Sequence, residues 1–258
     1  MNRIKTFAII LVSFVFFNVF AGDNAITQAS TIDALLKGFY EGDITLGEMK
    51  KYGNFGTGTV DFLDGELLLF EGTFYNVKSS GAVVTPPDEM KTPFCSVTTF
   101  YPEKTIQLEK GMNFKSFTEF LDKELPSLNY FYAVKLSGTF KVMKTRSVPL
   151  QTKKPYPPLV EVVKKQPIFD FENIKGVLVG FRCPVFVKGI NVPGYHLHFL
   201  SDDRKSGGHL FDFSVEDAEL QYRKVSDFKL LLPATEDFAK GDFSANMENA
   251  LKKVECSK

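Results

Sequence analysis

The three histidines of this 258-residue chain all fall between positions 196 and 209. His196 and His198 form an H-x-H step inside the apolar run Tyr195-His196-Leu197-His198-Phe199. On a strand, residues i and i+2 project from one face about 6 to 7 Å apart, so two imidazoles placed this way can converge on one ion. The next segment, 201–208, is polar and ends Ser206-Gly207-Gly208, which lets the chain turn back, and the returning strand opens with His209. Neutral imidazoles hold zinc at about 2.0 to 2.1 Å, and three protein ligands leave the open position that distinguishes a catalytic zinc from a closed structural one. The alternative is three separately satisfied core or surface histidines. The confinement of every histidine to one turn-connected segment favours a shared ion.

The rest of the chain must position these groups. It is 44% apolar and 24% charged, an ordinary globular mixture that excludes intrinsic disorder and collagen-like or coiled-coil architectures. Twenty-seven Phe and nine Tyr with no Trp point to a ring-rich core built on sheet. Ile32, Leu35, Leu36 and Tyr40 recur at helical spacing, which predicts a helix over 31–40 with Ser30 or Thr31 as N-cap; a second short helix is predicted over 45–51. The pattern then changes to strands. Segments 57–63 and 66–70 are joined through Asp64-Gly65, a two-residue hairpin signal that sets Leu63 opposite Glu66. Counting back along that ladder puts Asp61 opposite Leu68 and Thr59 opposite Phe70, so Thr59, Asp61, Leu63, Glu66, Leu68 and Phe70 share one face.

Further strands are predicted at 73–77, 82–85, 95–100 and 105–108, a helix at 114–124, and strands at 130–137 and 138–148. Arg146 alternates with Phe140, Val142 and Val148 and so points into an apolar face, where a charge is costly unless paired. Beyond the proline-rich connection 151–158, strands are expected at 169–172, 175–181, 195–200, 209–215 and 219–224, and a helix over 243–254 closes the chain. The expected class is α+β, with two mixed, mostly antiparallel β-sheets or barrel-like halves and a few packed helices. The expected division is an N-terminal half, 22–150, and a C-terminal half, 151–258, that carries the histidines.

Lys plus Arg and Asp plus Glu both number 31, so no basic excess exists to neutralise a phosphate backbone, and nucleic acid is not an expected partner. Arg3 and Lys5 precede a nearly unbroken apolar run over 7–20, and Val19-Phe20-Ala21 offers small residues where a signal peptidase cuts. Residues 1–21 are therefore predicted to be a secretory signal peptide, with an uncleaved anchor as the alternative. The apolar run is short of the roughly 20 residues that cross a bilayer, so no stable membrane anchor is expected after cleavage. The expected location is periplasmic or secreted, and removal of Arg3 and Lys5 leaves 31 − 2 = 29 basic against 31 acidic residues. Export implies an oxidising compartment, yet Cys95, Cys183 and Cys256 are too few and too odd in number for a disulfide framework, and at most one bridge can form within the chain.

The sequence resembles the alpha-acetolactate decarboxylase family over most of the mature chain. The segments that carry the resemblance are Tyr40-Glu41-Gly42-Asp43, Gly53-Asn54-Phe55-Gly56-Thr57-Gly58-Thr59, Leu63-Asp64-Gly65-Glu66, Met90-Lys91-Thr92-Pro93-Phe94, Lys144-Thr145-Arg146 and Lys154-Pro155-Tyr156-Pro157-Pro158-Leu159. Gly194-Tyr195-His196-Leu197-His198-Phe199, Asp202-Asp203-Arg204 and Gly207-Gly208-His209 continue it in order. The resemblance implies zinc bound by His196, His198 and His209, catalytic roles for Glu66, Arg146 and Glu255, and substrate binding by Thr59 and Arg146. It also implies 2-acetolactate as the small-molecule substrate, acetoin and carbon dioxide as products, and a homodimer.

Two alternatives belong to other classes. An H-x-H with a later His also occurs in cupins, where a Glu normally follows the second His after three or four intervening residues; here Asp202 and Asp203 stand in those positions and no Glu lies between His198 and His209. A zincin helix needs His at i and i+4 with Glu between them. An exported cupin-like metalloenzyme acting on another small hydroxy or keto acid would keep the metal and make no acetoin. A non-catalytic relative would bind small molecules without turnover.

Overall fold

The computed structural model describes residues 24–256, so the predicted signal peptide lies outside the described residues. In chain order the first elements are β1 (Ala25–Ala29), α1 (Ile32–Leu36), β2 (Ile44–Thr45), α2 (Leu46–Met49), β3 (Phe55–Thr59), β4 (Glu66–Phe70), β5 (Thr73–Val77), β6 (Val83–Val84), β7 (Lys91–Thr92), β8 (Phe94–Thr98) and β9 (Lys104–Gln107). There follow α3 (Phe114–Glu124), β10 (Phe131–Arg146), α4 (Leu159–Val162), β11 (Ile168–Cys183), β12 (Gly194–Ser201), β13 (Gly207–Val225), β14 (Asp227–Leu231), α5 (Glu236–Lys240) and α6 (Glu248–Cys256). Among the described residues no helix is long and apolar enough to cross a membrane.

Local chemistry starts the helices where it should. The Thr31 hydroxyl accepts from the Ala34 N–H at the head of α1, and Thr45 with Glu48, and Asn113 with Ser116, form reciprocal caps on α2 and α3. Glu71-Gly72, both with positive φ, make the tight turn that returns β4 into β5.

The strands form two main sheets, and the class is α+β. The first has the order β14-β1-β8-β3-β4-β5-β6, with β1 and β14 parallel and the remaining pairs antiparallel. The second runs β10-β11-β12-β13-β9, and β13 returns to pair with β10, so four strands close on themselves as a small barrel. Strand alternation sorts its side chains. Leu136, Phe140, Leu178, Leu197, Phe199, Leu210 and Phe213 fill the barrel, capped by Phe117 and Leu121 of α3. Val177, Val179, Phe181 and Leu200 face the other way and pack on Ile26, Phe55, Leu68 and Val77 of the first sheet.

The sheets do not divide at residue 150. β9 and β10 belong to the second sheet and β14 to the first, and β10 pairs with β11 along nearly its whole length, so 151–158 is a loop between paired strands. The predicted pairs of short strands at 130–148, 169–181 and 209–224 are single long strands, β10, β11 and β13. Their polar and glycine interruptions, such as Gly138 and the register shifts beside Phe140 and Lys144, are irregularities inside continuous ladders. Those shifts also break the predicted alternation along β10. Val142 is exposed although Phe140, Arg146 and Val148 are buried. The predicted helix at 31–40 is shorter, ending at Leu36, and the closing helix starts later, at Glu248. Cys95 and Cys183 are buried free thiols.

The closed barrel should depend on its central rings. Phe199 is fully buried and meets Phe140 edge-on at 5.9 Å. Phe199→Ala is expected to cost about 3–5 kcal/mol, measured as a lower urea midpoint with an unchanged slope. An unaltered midpoint would show that this core does not carry the stability assigned to it.

Candidate active site

The site lies between the two sheets, where the apolar packing gives way to polar side chains. On β12, Leu197 and Phe199 enter the barrel, so His196 and His198 face the first sheet. His198 is directly opposite His209 on β13, and His209 is directly opposite Arg146 on β10. Three neighbouring strands therefore present His198, His209 and Arg146 as one cross-strand row. Close approach of the backbones makes this possible. A side chain at Gly180 would sit 2.0 Å from the His196 carbonyl, and one at Gly208, where φ is +132°, would sit 2.3 Å from the Arg146 carbonyl.

The facing sheet contributes Thr59 from β3 and Glu66 from β4. The observed register pairs Gly58 with Leu67 and Thr57 with Leu68, which puts Thr59 opposite Glu66. The predicted hairpin, with Leu63 opposite Glu66 and Thr59 opposite Phe70, is thus corrected by four residues. β3 ends at Thr59 because 61–63 forms a 3-10 turn, with Phe62 and Leu63 at positive φ. Asp61 leaves the ladder, and its carboxylate accepts from the Gly42 N–H at 2.8 Å. A shift of four preserves strand parity, so Thr59 and Glu66 still share a face. The Thr59 hydroxyl donates to the Gly65 carbonyl at 2.7 Å, tying the end of β3 to the start of β4.

The three imidazoles are buried, and their candidate ligand nitrogens all lie within 4.8 Å of one another. The Leu67 carbonyl can only accept, so at 2.8 Å it receives a hydrogen bond from a protonated His198 Nδ1, which leaves the Nε2 lone pair free in the neutral ring. His196 Nε2 lies 3.1 Å from His198 Nε2. Burial lowers the pKa of all three rings, for His198 and His209 well below the ordinary value, with the Arg146 charge acting in the same direction. Neutral, convergent imidazoles with one tautomer fixed by a backbone carbonyl are the donor set a divalent metal ion requires.

Two carboxylates flank this group. Glu66 Oε2 is 3.5 Å from His198 Nε2, and Glu255 Oε2, from the last turn of α6, is 3.5 Å from His209 Nε2. Burial pushes the Glu66 carboxyl up to about 7, against the pull of Arg146 and with the repulsion of Glu255. An inner pocket of about 40 Å³ is lined by Thr59, Glu66, Arg146, His196, His209 and Glu255, with Leu63, Phe94, Leu159 and Val163 on its apolar side. His209 and Glu255 also border an outer cleft of about 660 Å³. The structure brings together every site residue expected from the sequence. It adds two that were missed: Gln166, which accepts from Arg146 Nη1 at 2.7 Å, and Phe211, whose ring centre is 5.4 Å from the guanidinium carbon. No local motif marks either one. Phe211 looks like any strand aromatic, and Gln166 becomes visible only once β10 and β11 are aligned.

Fold and site together define the class: an α+β enzyme whose buried pocket carries three histidines able to hold a metal ion. The family model described as alpha-acetolactate decarboxylase matches residues 26–245. The alpha-acetolactate decarboxylase of Methanosarcina mazei is 46% identical over 228 residues, 88% of this chain and 79% of the relative. That of Bacillus subtilis is 46% identical over 224 residues, 87% of this chain and 86% of the relative. The crystal structure of alpha-acetolactate decarboxylase from Bacillus subtilis strain 168 superposes with a TM-score of 0.88 at 42% identity, covering 90% of this chain and 99% of that one. The chain belongs to the alpha-acetolactate decarboxylase family, and it is an enzyme, a carboxy-lyase.

If the imidazoles act as one ligand set, removing any of them should empty the site. Purified protein is expected to carry about one divalent ion per chain by elemental analysis, and His198→Ala to lose it while keeping a sheet-rich circular dichroism spectrum. Full metal content in that variant would refute the shared site.

Proposed function

We propose that the enzyme decarboxylates 2-acetolactate to acetoin and carbon dioxide, using zinc held by His196, His198 and His209. The observation that carries this reading is the convergence of a buried guanidinium, two carboxylates and the imidazoles of His196 and His209 on one small pocket, with His198 directly behind at 3.1 Å from His196. Loss of carbon dioxide leaves an electron pair on the carbon that bears the hydroxyl, and the adjacent ketone accepts it as an enediolate. Zinc, when bound, supplies Lewis-acid stabilisation of oxygens that gain negative charge.

The chain's own residues divide the remaining work. Arg146 binds the substrate carboxylate and orients it for departure, a task suited to a planar cation with several donors. Its burial and the apolar side of the pocket exclude water, so the charge acts at low dielectric. Thr59, on the same face as Glu66, lines the substrate pocket with a hydroxyl. Glu66 and Glu255 handle protons, one of them delivering a proton to a single face of the enediolate so that one acetoin enantiomer forms.

Residues 1–21 are proposed to be removed on export to the periplasm or the exterior; the charged start, apolar run and small cleavage-site residues support this. The homodimer is proposed on the family resemblance.

The test is acetoin formation from racemic 2-acetolactate by protein lacking residues 1–21, with and without a chelator. Turnover should vanish with chelation and return with zinc, and Arg146→Ala should lower kcat/KM by about a hundredfold or more with zinc content retained. Folded, zinc-loaded protein that makes no acetoin would sink the proposal.

A further inference from the structure

Arg146 has an unusual environment for a buried cation. It is 2% exposed, yet among the described residues its guanidinium makes no ion pair with a carboxylate. Buried charges are normally paired, because an unpaired one forfeits its hydration. The side chain's one hydrogen bond among the described residues is from Nη1 to the Gln166 carboxamide oxygen, and Nε is buried with no partner at all. The Phe211 ring lies against the guanidinium at 5.4 Å. One end and one face of the cation are thus occupied by uncharged groups, and Nε remains free in a side chain that lines the inner pocket.

Gln166 is itself held firmly. It ends the 3-10 turn Val163–Lys165, its N–H donating to the Val163 carbonyl at 3.3 Å. Pro167 follows and its carbonyl accepts from the Ser147 N–H at 3.3 Å, and Ile168 is the ladder partner of Arg146. The backbone that carries the carboxamide is therefore held on both sides, beside the strand that bears the arginine.

We propose that Gln166 is the positioning residue of Arg146, a neutral acceptor that aims the guanidinium without neutralising it. A carboxylate at position 166 would accept the same hydrogen bond but would form an ion pair, and the attraction left for a substrate anion would fall accordingly. A carboxamide keeps the geometry and adds no further carboxylate to Glu66 and Glu255, which already share the pocket with Arg146, so more of the positive charge is left to the substrate carboxylate. This inference rests on the reading that Arg146 binds the substrate's anionic group.

The test compares wild type, Gln166→Ala, the isosteric Gln166→Glu and Arg146→Ala, all zinc-loaded. It reads kcat and KM for 2-acetolactate, zinc content, and calorimetric binding of 2-hydroxy-2-methylpropanoate, which keeps the hydroxyl and carboxylate but has no ketone to accept electrons. Gln166→Ala should weaken probe binding and raise KM by about tenfold, the scale of one charge-assisted hydrogen bond, at unchanged zinc content. Gln166→Glu should be weaker than Gln166→Ala near neutral pH and should recover as the pH is lowered and the new carboxylate is protonated. Glu66, Glu255, His196 and His209 line the pocket with Arg146 in both variants, so the difference between the Glu and Ala profiles isolates position 166, and scaffolding alone would give no such difference. Wild-type KM and probe affinity in the Ala variant, or a Glu variant that binds as well as wild type, would overturn the proposal. If probe binding follows residue 166 while no protein makes acetoin, the positioning role stands and the decarboxylase reading falls.

Discussion

Burying three imidazoles, an arginine and two carboxylates between two sheets is unfavourable unless each polar group meets another or holds a ligand. The rest of the architecture answers that constraint. The site sits where the packing of Val177, Val179, Phe181 and Leu200 against the first sheet ends, so the polar groups have apolar neighbours on one side and one another on the other. The low dielectric that makes their burial costly also keeps the imidazoles neutral, and so suited to a metal, and strengthens the field of Arg146. The same burial that penalises the folded state prepares the chemistry.

Positioning comes from ladders rather than loops. Arg146, His209 and His198 occupy directly opposed places on β10, β13 and β12, and Thr59 faces Glu66 across β3 and β4. Cross-strand neighbours on one face are held several ångströms apart by the ladder spacing itself, so two short rows supply most of the polar wall, and His196, two residues along β12, and Glu255 of α6 complete it. Backbone groups finish the orientation: the Leu67 carbonyl fixes the His198 tautomer, and the Gly65 carbonyl anchors the Thr59 hydroxyl. Because Leu67 is the neighbour of Glu66 on β4, one strand supplies both a carboxylate to the pocket and an acceptor behind the His198 imidazole.

Much of this was legible in the sequence where the signal was local. The H-x-H step and the glycine-rich return placed the histidines correctly, because strand periodicity and turn chemistry act over a few residues. The face shared by Thr59 and Glu66 was legible although their register was not. Asp64-Gly65 has the form of a hairpin turn, but Phe62 and Leu63 adopt left-handed backbone that the side chains themselves do not favour, and the tertiary contact from the Phe62 N–H to the Tyr40 carbonyl holds that loop. Long-range pairing was hidden. β1 and β14 are short and meet as parallel partners from opposite ends of the chain, and the closure of β13 on β10 depends on bulges that break simple alternation. Glu255 was reachable only through family resemblance, because no local motif marks it, although it lies past residue 245, where the family match ends.

The placement of Glu255 follows from the register of the helix that carries it. Glu248, Leu251 and Glu255 are spaced i, i+3 and i+7, so they lie along one face of α6. Each meets a different environment along the depth of the site. Glu248 pairs with Lys188 at 3.0 Å near the surface, Leu251 joins Leu159, Val162 and Val163 in the apolar layer, and Glu255 reaches His209 at the innermost turn. Rotating the helix to free any one contact would break all three, and Val254, buried in the same layer, resists that rotation. A carboxylate in the last turn of a helix would ordinarily fray. Here the amphipathic pattern of the final helix holds it in the pocket, so the apolar residues of α6 set the position of the acid they deliver.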